Sequence, residues 1–302
     1  MGTTRREILA GLAAGAMRSA AQPAQRKPRT MPMICLSSER LAKLDYTELG
    51  PILRNLAAEG CNLSVRRGGH VEPEKAPADL LRAIEGIRGE GVDVPMISTD
   101  FTSANDPAAR NVLGISGGMS VQYFRPGYWR YGAASIESRL AEVRRDVTGL
   151  ALFGRSYGIA MGLHNRAGDY VGEAVWDTQA LIAAMDPAWV GYCFDPSQAT
   201  AEGGVGGWEV ALRLALPRLK MVAVADFYWA KDPSAKWQAT MCPMGDGMVD
   251  WPKFFSMLAE ARFTGPISIE PGYQAKSELE GINHDLDFVA KQVNAAYRRT
   301  AA

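Results

Sequence analysis

The stretch IESRLAEVRRDVTGLALFGRSYGIAMGL, residues 136–163, decides the fold class. Apolar residues in its first half step by four and three positions, which predicts an amphipathic helix with one buried face. These residues are Ile136, Leu140, Val143, Val147 and Leu150. A short apolar run from Ile159 to Leu163 follows and is typical of a buried strand. Helices that alternate with strands in this way are typical of parallel sheets.

The same alternation extends from this stretch toward both ends of the chain. Apolar runs predict strands at residues 31–36, 61–65, 94–98, 120–124, 159–163, 190–194, 221–224 and 266–269. Helical patterns follow them at residues 50–58, 78–88, 106–113, 136–150, 178–185, 208–216, 251–261 and 279–293. This unbroken series predicts one α/β domain over residues 31–302, closed into a (β/α)8 TIM barrel. An open doubly wound sheet is the alternative, but no Gly-x-Gly-x-x-Gly motif follows an early strand, which argues against its nucleotide-binding form.

The composition is that of an ordinary globular protein without a strong charge preference. Hydrophobic residues make up 47% of the 302 residues, which is enough to form a sizeable core. Lys plus Arg and Asp plus Glu both number 33, so the formal net charge is zero. This balance argues against nucleic acid or an anionic membrane surface as a partner. A small molecule is the expected partner, and the oligomeric state is left open.

The N-terminus has the layout of an export signal. Arg5 and Arg6 precede a mildly apolar stretch from Ile8 to Met17, and the small residues Ser19-Ala20-Ala21 follow as a cleavage site. We predict a twin-arginine-like signal peptide over residues 1–21, a linker over residues 22–30 and a periplasmic location. The apolar stretch is too short to span a bilayer core of roughly 30 Å. A disordered basic tail is the alternative.

The four cysteines do not predict a metal site of their own. Cys35, Cys61, Cys193 and Cys242 are scattered, without a Cys-x-x-Cys pair, which argues against structural zinc. The first three lie in strand-like apolar runs, so we expect buried thiols. A disulfide in an oxidising compartment is left open.

Polar residues just past the predicted strands are the candidates for a functional site, because a TIM barrel places its active site where its strands end. His164, Asp226 and Glu270 are the catalytic candidates, since imidazole and carboxylate groups move protons in general acid–base catalysis. The substrate-binding candidates are Arg66, His70, Arg125, Asn165, Arg166, Gln198 and Trp229. His164, Asp195 and Glu270 follow three different strands and are the candidates for binding one divalent cation.

Ordinary structural roles compete with several of these assignments. Asp195 precedes Pro196 and suits the start of a turn. His70 lies in a Gly-Gly-His segment, where a solvated side chain is the alternative. The glycine-rich run at residues 203–207 is expected to be a plain loop, with a backbone phosphate site as the alternative.

Five segments of the chain resemble the xylose isomerase-like barrel superfamily, the sugar phosphate isomerases and epimerases. They are GLHNR at 162–166, FDPSQA at 194–199, VAVADF at 222–227, GDGMVDW at 245–251 and GPISIE at 265–270. The similarity runs from about residue 32 to about residue 297. The Gly-x-Gly-x-Val-Asp and Gly-x-Ile-x-Ile-Glu patterns are its most specific parts and imply the barrel fold.

The resemblance implies a divalent metal held by Glu, Asp, His and Glu, and this chain keeps part of that pattern. Asp195 and Glu270 match the Asp and the last Glu, and His164 stands where the first Glu, or a His in some branches, is expected. The His and Lys of the expected His-x-Lys-Asp segment are Ala223 and Ala225 here. Two further departures are Gln198 and Arg166, each in place of a His. A metal (Mn, Zn or Mg) and metal-free chemistry therefore both stay open.

The activity that this resemblance implies is that of a carbohydrate isomerase or epimerase. Such an enzyme moves a proton next to a carbonyl, with Glu270 as the base. The predicted export disfavours a sugar phosphate and favours a free sugar, keto-sugar or sugar acid. A lyase or hydratase acting on an oxidised glycoside and a non-catalytic carbohydrate-binding barrel are the alternatives.

Overall fold

The computed structural model describes residues 29–270 and 272–301. The predicted signal peptide lies outside these residues, as does the predicted linker apart from its last two positions. None of the described helices is both long enough and apolar enough to cross a membrane.

Eight parallel strands close into a barrel, which confirms the predicted single-domain TIM barrel. The strands of the described chain are β1 (Ile34–Ser37), β2 (Gly60–Ser64), β3 (Asp93–Ser98), β4 (Tyr123–Arg125), β5 (Ala160–His164), β6 (Val190–Phe194), β7 (Leu219–Val224), β8 (Asp226–Lys231), β9 (Trp237–Cys242) and β10 (Ile267–Ile269). The order around the barrel is β1-β10-β7-β6-β5-β4-β3-β2, and β8 and β9 form a separate pair. The open-sheet alternative is therefore wrong.

The helices surround the barrel at nearly the predicted positions. They are α1 (Leu49–Asn55), α2 (Ala76–Gly89), α3 (Ala109–Gly118), α4 (Ile136–Tyr157), α5 (Val175–Ile182), α6 (Pro196–Ala215), α7 (Trp251–Glu260) and α8 (Glu278–Ala301). The apolar stripe of α4, formed by the residues that step by four and three positions, packs inward, and Val143, Val147 and Leu150 are fully buried. The first residue of the stripe, Ile136, lies at the exposed start of the helix.

Helix α6 corrects the expectation of a loop at residues 203–207. The helix begins at Pro196, because the Asp195 side chain accepts hydrogen bonds from the backbone N–H groups of Ser197 and Gln198. It then runs through the glycine-rich segment with a break at Gly204, whose φ of 62° and ψ of −161° are not helical. Glycine reaches this conformation without the steric cost that a Cβ atom imposes.

The antiparallel ribbon of β8 and β9 is the main element that the sequence pattern missed. It follows β7 after one residue and stands at the end of the barrel where the strands finish. Most of its side chains beyond Phe227 are partly or fully exposed, so it lacks the apolar run that marks a barrel strand.

The barrel interior is apolar in its middle and polar toward the strand ends. Met96, Cys193, Met221 and Ala223 form a fully buried cluster, against which Tyr123 packs. All four cysteines are buried free thiols, as expected for the three in strands. Polar residues that follow the strands are therefore left to form a site at the open end of the barrel.

Candidate active site

A cavity of about 660 Å³ opens at the C-terminal end of the barrel strands. Its lining combines charged, aromatic and small residues: Glu39, Arg66, Thr99, Asp100, Arg125, Gly127, Tyr128, His164, Arg166, Ala167, Tyr170, Asp195, Gln198, Ala225, Met241, Glu270 and Gly272. The size and location suit a small polar ligand. Six of the residues predicted for catalysis or substrate binding line the cavity. Asp195, which was predicted as a metal ligand, lines it as well.

Glu270 is held by a ladder of buried polar side chains inside the barrel. Its Oε1 atom accepts hydrogen bonds from Ser268 Oγ at 2.7 Å and from Asn62 Nδ2 at 3.1 Å. Ser98 Oγ in turn donates to Asn62 Oδ1 at 2.9 Å. Both bonds to Glu270 fall on one oxygen, so the other oxygen, Oε2, is left for interactions on the cavity side. The ladder thereby fixes the orientation of the carboxylate.

Arg125 places a buried positive charge against this carboxylate. Its Nη1 atom lies 3.4 Å from Glu270 Oε2, and both side chains are about nine-tenths buried. A guanidinium group keeps its proton under all ordinary conditions, and nearby Glu270 and Tyr128 raise the pKa of Arg125 further against the opposing effect of burial. The remaining N–H donors of Arg125 are available to oxygen atoms of a ligand.

His164 forms a second polar centre together with Tyr128 and Asp195. Tyr128 Oη lies 2.6 Å from His164 Nδ1, and His164 Nε2 lies 3.4 Å from Asp195 Oδ2. The alignment of the second contact does not make a hydrogen bond, so Nε2 is a buried nitrogen without a partner among the described residues. Burial lowers the pKa of His164, and the neighbouring Asp195 carboxylate opposes that effect. When the Tyr128 hydroxyl donates to Nδ1, neutral His164 carries its proton on Nε2, the nitrogen beside Asp195 Oδ2.

Asp195 is positioned by the start of helix α6 and by Asn165. Its Oδ1 atom accepts from Ser197 N at 2.8 Å and from Gln198 N at 3.2 Å, which is a helix N-cap. The Asn165 side chain brackets the backbone of Asp195, accepting from its N–H at 2.8 Å and donating to its carbonyl at 2.9 Å. One carboxylate oxygen is thus structural, and the other is directed at His164.

The lowered pKa of His164 predicts a loss of stability in mild acid. An unfolded histidine binds a proton near pH 6.5, and the folded one does so at lower pH, so protonation favours the unfolded chain. The free energy of unfolding should therefore be highest above about pH 6.5 and fall as the pH drops below it. Denaturant titrations at about pH 7.5 and about pH 5.5 should show a smaller decrease for His164→Gln than for the wild type.

The exposed His284 offers a control for this comparison. His284→Gln should keep the wild-type pH dependence. An equal decrease in the wild type and in His164→Gln would contradict the interpretation.

Arginine and tyrosine side chains form the wall of the cavity after β5. The Arg166 guanidinium lies over the rings of Tyr128 and Tyr170, at 4.6 and 4.8 Å from their centroids. Gln198 Oε1 accepts from the backbone N–H of Ala167 at 3.1 Å, so this side chain supports the loop that carries Arg166. On the opposite rim, Arg66 Nε donates to Glu39 Oε1 at 2.7 Å.

Three of the predicted substrate-binding residues do not line the cavity. His70 lies on a neighbouring pocket beyond the rim, with Nε2 at 3.2 Å from the Leu41 carbonyl. Asn165 is buried and used in the bracket around Asp195. Trp229 lies outside on the ribbon, where it is 41% exposed.

Asp226 also stays out of the cavity, so the geometry gives no support to its predicted catalytic role. Its buried carboxylate accepts from the Trp251 indole N–H at 2.7 Å and from the backbone N–H groups of Gly245 and Gly247 at 2.9 and 3.2 Å. A Cβ atom on Gly247 would lie 2.1 Å from Asp226 Oδ1, so the loop fits around this carboxylate only with glycine there. Asp226 therefore joins the base of the ribbon to the start of α7.

Asp226→Asn should consequently destabilise the protein rather than alter its chemistry. An amide in this position turns an N–H₂ group toward backbone donors and leaves buried groups unpaired, which costs about 2–4 kcal/mol of the free energy of unfolding. Chemical denaturation measures this loss, with Asp250→Asn at the helix cap as the matched control, which should change stability little because Asn caps a helix about as well as Asp. A variant as stable as the wild type would contradict the anchoring role.

The structure also adds site residues that were not predicted. Glu39 is the second residue after β1, so the strand-end rule that found the other candidates applies to it as well. Tyr170 lies six residues beyond β5, too far for that rule. The ladder of Asn62, Ser98 and Ser268 lies inside strands, where polar residues give no strand-end signal.

The donors around the cavity do not fit the divalent metal that the resemblance implies. Among residues 29–270 and 272–301, no group of three or more His, Cys, Asp or Glu side chains is arranged to hold a metal ion. Ala223 and Ala225 offer no ligand atoms, and the Arg125 guanidinium lies against Glu270 Oε2. A divalent cation bound at this oxygen would meet a permanent positive charge at close range. His164 Nε2 and Asp195 Oδ2 are the ligand atoms that this leaves among the described residues, fewer than the three or four protein ligands of a zinc site.

Comparisons with solved structures show the same architecture at low sequence identity. An L-ribulose 3-epimerase superposes with a TM-score of 0.71 at 13% identity, over 90% of this chain and 97% of that one. A 3-keto-D-glucoside 4-epimerase from E. coli has a TM-score of 0.68 at 12% identity, over 86% and 99%. A xylose isomerase-like barrel protein from Mycobacterium smegmatis, solved in complex with magnesium, has a TM-score of 0.67 at 16% identity, over 89% and 98%. A search of functionally curated proteins finds no significant match.

A match between this sequence and a family profile identifies the family of the chain. A profile of one barrel family matches residues 115–292, which is more than half of the chain and spans β4 through most of α8. The matched region contains His164, Asp195 and Glu270, the three centres around which the cavity is built. The chain belongs to the xylose isomerase-like TIM barrel family.

Proposed function

We propose that this protein is a carbohydrate isomerase or epimerase that moves a proton next to a carbonyl without a resident metal. The observation that carries the proposal is the pairing of Glu270 with Arg125 in a cavity that His164 also lines, where the buried Nε2 of His164 has no hydrogen-bond partner among the described residues. Structural neighbours that are epimerases of ribulose, allulose and a keto-glucoside support the substrate class. The retained acid–base residues favour catalysis over a barrel that only binds sugars.

Each residue has a separate task in this reaction. Glu270 removes the proton from the carbon beside the carbonyl, and negative charge develops on the carbonyl oxygen. Arg125 and the Nε2–H of neutral His164 donate hydrogen bonds to that oxygen, which stabilises the charge. Isomerisation results when the proton returns to the former carbonyl carbon and the hydroxyl proton of the adjacent carbon passes to the former carbonyl oxygen, so that the carbonyl changes place. Return of the proton to the opposite face of the carbon that lost it requires a second acid–base group, for which His164 is available.

The other cavity residues suit a hydroxyl-rich ligand. Asp100 Oδ1 is a buried acceptor without a partner among the described residues, and Arg67 holds the other oxygen of this carboxylate at 3.1 Å. Buried polar atoms are nearly always paired, so this one is expected to accept from a ligand hydroxyl. Arg66 and Arg166 are further donors at the rim. We also propose export of the protein, which favours free sugars, keto-sugars or sugar acids over phosphorylated ones.

Solvent hydrogen exchange tests the proposal directly. The full-length protein is incubated in D₂O with a panel of ketohexoses, aldohexoses and 3-keto-glucosides, and proton NMR follows the C–H groups beside each carbonyl. The expected result is deuterium incorporation with at least one sugar, with and without EDTA. Exchange that EDTA abolishes and Mn²⁺ restores would overturn the metal-free mechanism. Binding of a sugar without exchange would favour the non-catalytic alternative, and release of an aglycone would favour the lyase.

A further inference from the structure

The β8–β9 ribbon carries an aromatic face that continues outward from the cavity. In an antiparallel pair, alternate residues of one strand and the residues directly opposite them lie on the same face. The register pairs Phe227 with Met241, Trp229 with Ala239 and Lys231 with Trp237, so these six residues share a face. The base of this face reaches the site, since Met241 lines the cavity.

Ring contacts agree with this arrangement. The rings of Phe227 and Trp229 meet edge to face with centroids 5.9 Å apart. Further out, Lys231 Nζ lies 5.3 Å from the centroid of the Trp237 ring. Met241 and Trp237 are four residues apart in one strand, which places them about 13 Å apart along the ribbon, with Trp229 beside the midpoint.

The outer aromatic side chains of the ribbon are exposed to solvent, so they contribute little to the packing of the protein itself. Trp229 is 41% exposed and Trp237 is 66% exposed, whereas Phe227 at the base is buried. Exposed aromatic surface next to a ligand cavity is typical of a binding surface. Indole rings offer a flat apolar face and one N–H donor, which matches the C–H face and hydroxyl rim of a sugar ring.

The base of the ribbon is held in place by buried contacts, which favours a rigid aromatic face that is formed before a ligand binds. Asp226 and Cys242, the paired residues at its base, are buried, and Asp226 is held by Trp251 and the 245–249 loop. A platform held in place before binding loses less entropy than a loop that must become ordered.

We infer that the Met241–Trp229–Trp237 face is an outer subsite for a second sugar unit, so that the natural substrate is a glycoside or disaccharide whose reacting ring enters the cavity. This inference rests on the proposed function for the identity of the inner ring. The outer unit stacks on Trp229 and Trp237, and Lys231 donates to its hydroxyl groups. A monosaccharide fills the inner site and leaves this face uncovered.

Binding measurements test the subsite separately from turnover. Isothermal titration of the full-length protein compares glucose with cellobiose, maltose and sucrose, for the wild type, Trp229→Ala and Trp237→Ala. Trp176→Ala is the matched control, because Trp176 is 55% exposed but lies on α5, away from the ribbon. We expect at least one disaccharide to bind about tenfold more tightly than glucose. The ribbon variants should lose that difference, and Trp176→Ala should keep it.

Several results would overturn the subsite. They are the absence of tighter disaccharide binding to the wild type, unchanged disaccharide binding in both ribbon variants, and an equal loss of glucose and disaccharide binding. A shift from dimer to monomer in Trp237→Ala, with sugar binding intact, would identify the face as a contact between two copies and would also overturn it. Disaccharide binding that depends on Trp237, combined with no exchange in D₂O, would retain the subsite and reject the proposed reaction.

Discussion

Glu270→Gln should lower kcat by about 10³-fold while sugar binding stays within a few-fold of the wild type, because general base catalysis contributes roughly 10²–10⁴-fold. The glutamine carbonyl can still accept from Ser268 and Asn62, which keeps the ladder that orients the side chain, while its N–H₂ group replaces the oxygen that faces Arg125 Nη1. The amide has no basic oxygen to take the proton. Turnover should therefore change much more than affinity, which kcat from exchange kinetics and Kd from titration measure separately.

A matched control for this variant exists on the surface. Glu90 pairs with Arg54 in the same carboxylate–guanidinium manner, on the outside of the barrel. Glu90→Gln should leave kcat and Kd unchanged. A Glu270→Gln protein that retains most of its turnover would show that another group is the base, and His164 is the other acid–base group at the cavity.

Arg125→Met should lower kcat/KM by about 10²–10³-fold, because loss of one donor to a developing oxyanion has an effect of that size. The substitution also leaves the buried Glu270 carboxylate without its positive neighbour. Arg125→Lys keeps the charge but loses the planar fork, so its kcat/KM should lie between those of the wild type and the methionine variant. Circular dichroism and denaturant titration establish that each variant is folded.

Measurements of metal content and of the response to added metal distinguish this electrostatic role of Arg125 from a role in metal binding. Elemental analysis of the wild type should show no stoichiometric Mn, Zn or Mg, and added Mn²⁺ should not restore Arg125→Met. Arg54→Met, the other half of the surface control pair, should behave as the wild type. One equivalent of tightly bound metal in the active wild type would contradict the metal-free proposal.

The sequence predicts the barrel well because its signals are local. The boundaries of β6 agree with the predicted strand at residues 190–194, and α7 begins at Trp251 as its Asp250 cap and Pro252 indicate. These features depend on neighbours a few residues apart. The ribbon was missed because its exposed strands lack the apolar runs from which barrel strands are recognised.

The candidate site is less predictable because its contacts join distant parts of the chain. Asn62 reaches Glu270 across 208 residues, and Arg125 reaches it across 145. Residue type and strand position identified Arg125 and Glu270 separately, but nothing local shows that they form a pair. Asp226 illustrates the opposite case, since a carboxylate after a strand was predicted to be catalytic and proves to anchor a loop. Whether such a group faces a ligand or the backbone depends on tertiary structure.

The packing around Ala223 bears on how this barrel could be redesigned. Ala223 stands at the position where the resemblance expects a metal-binding histidine, and it is fully buried against Met96, Cys193 and Met221. An imidazole introduced there would overfill the barrel interior, and overpacking of this kind typically costs about 1–3 kcal/mol. Ala223→His alone is therefore a poor route to a metalloenzyme, and a compensating reduction in size at Met96 or Met221 would have to accompany it. The neighbours of one small side chain thus make a metal-binding histidine at position 223 difficult to introduce in a single mutational step.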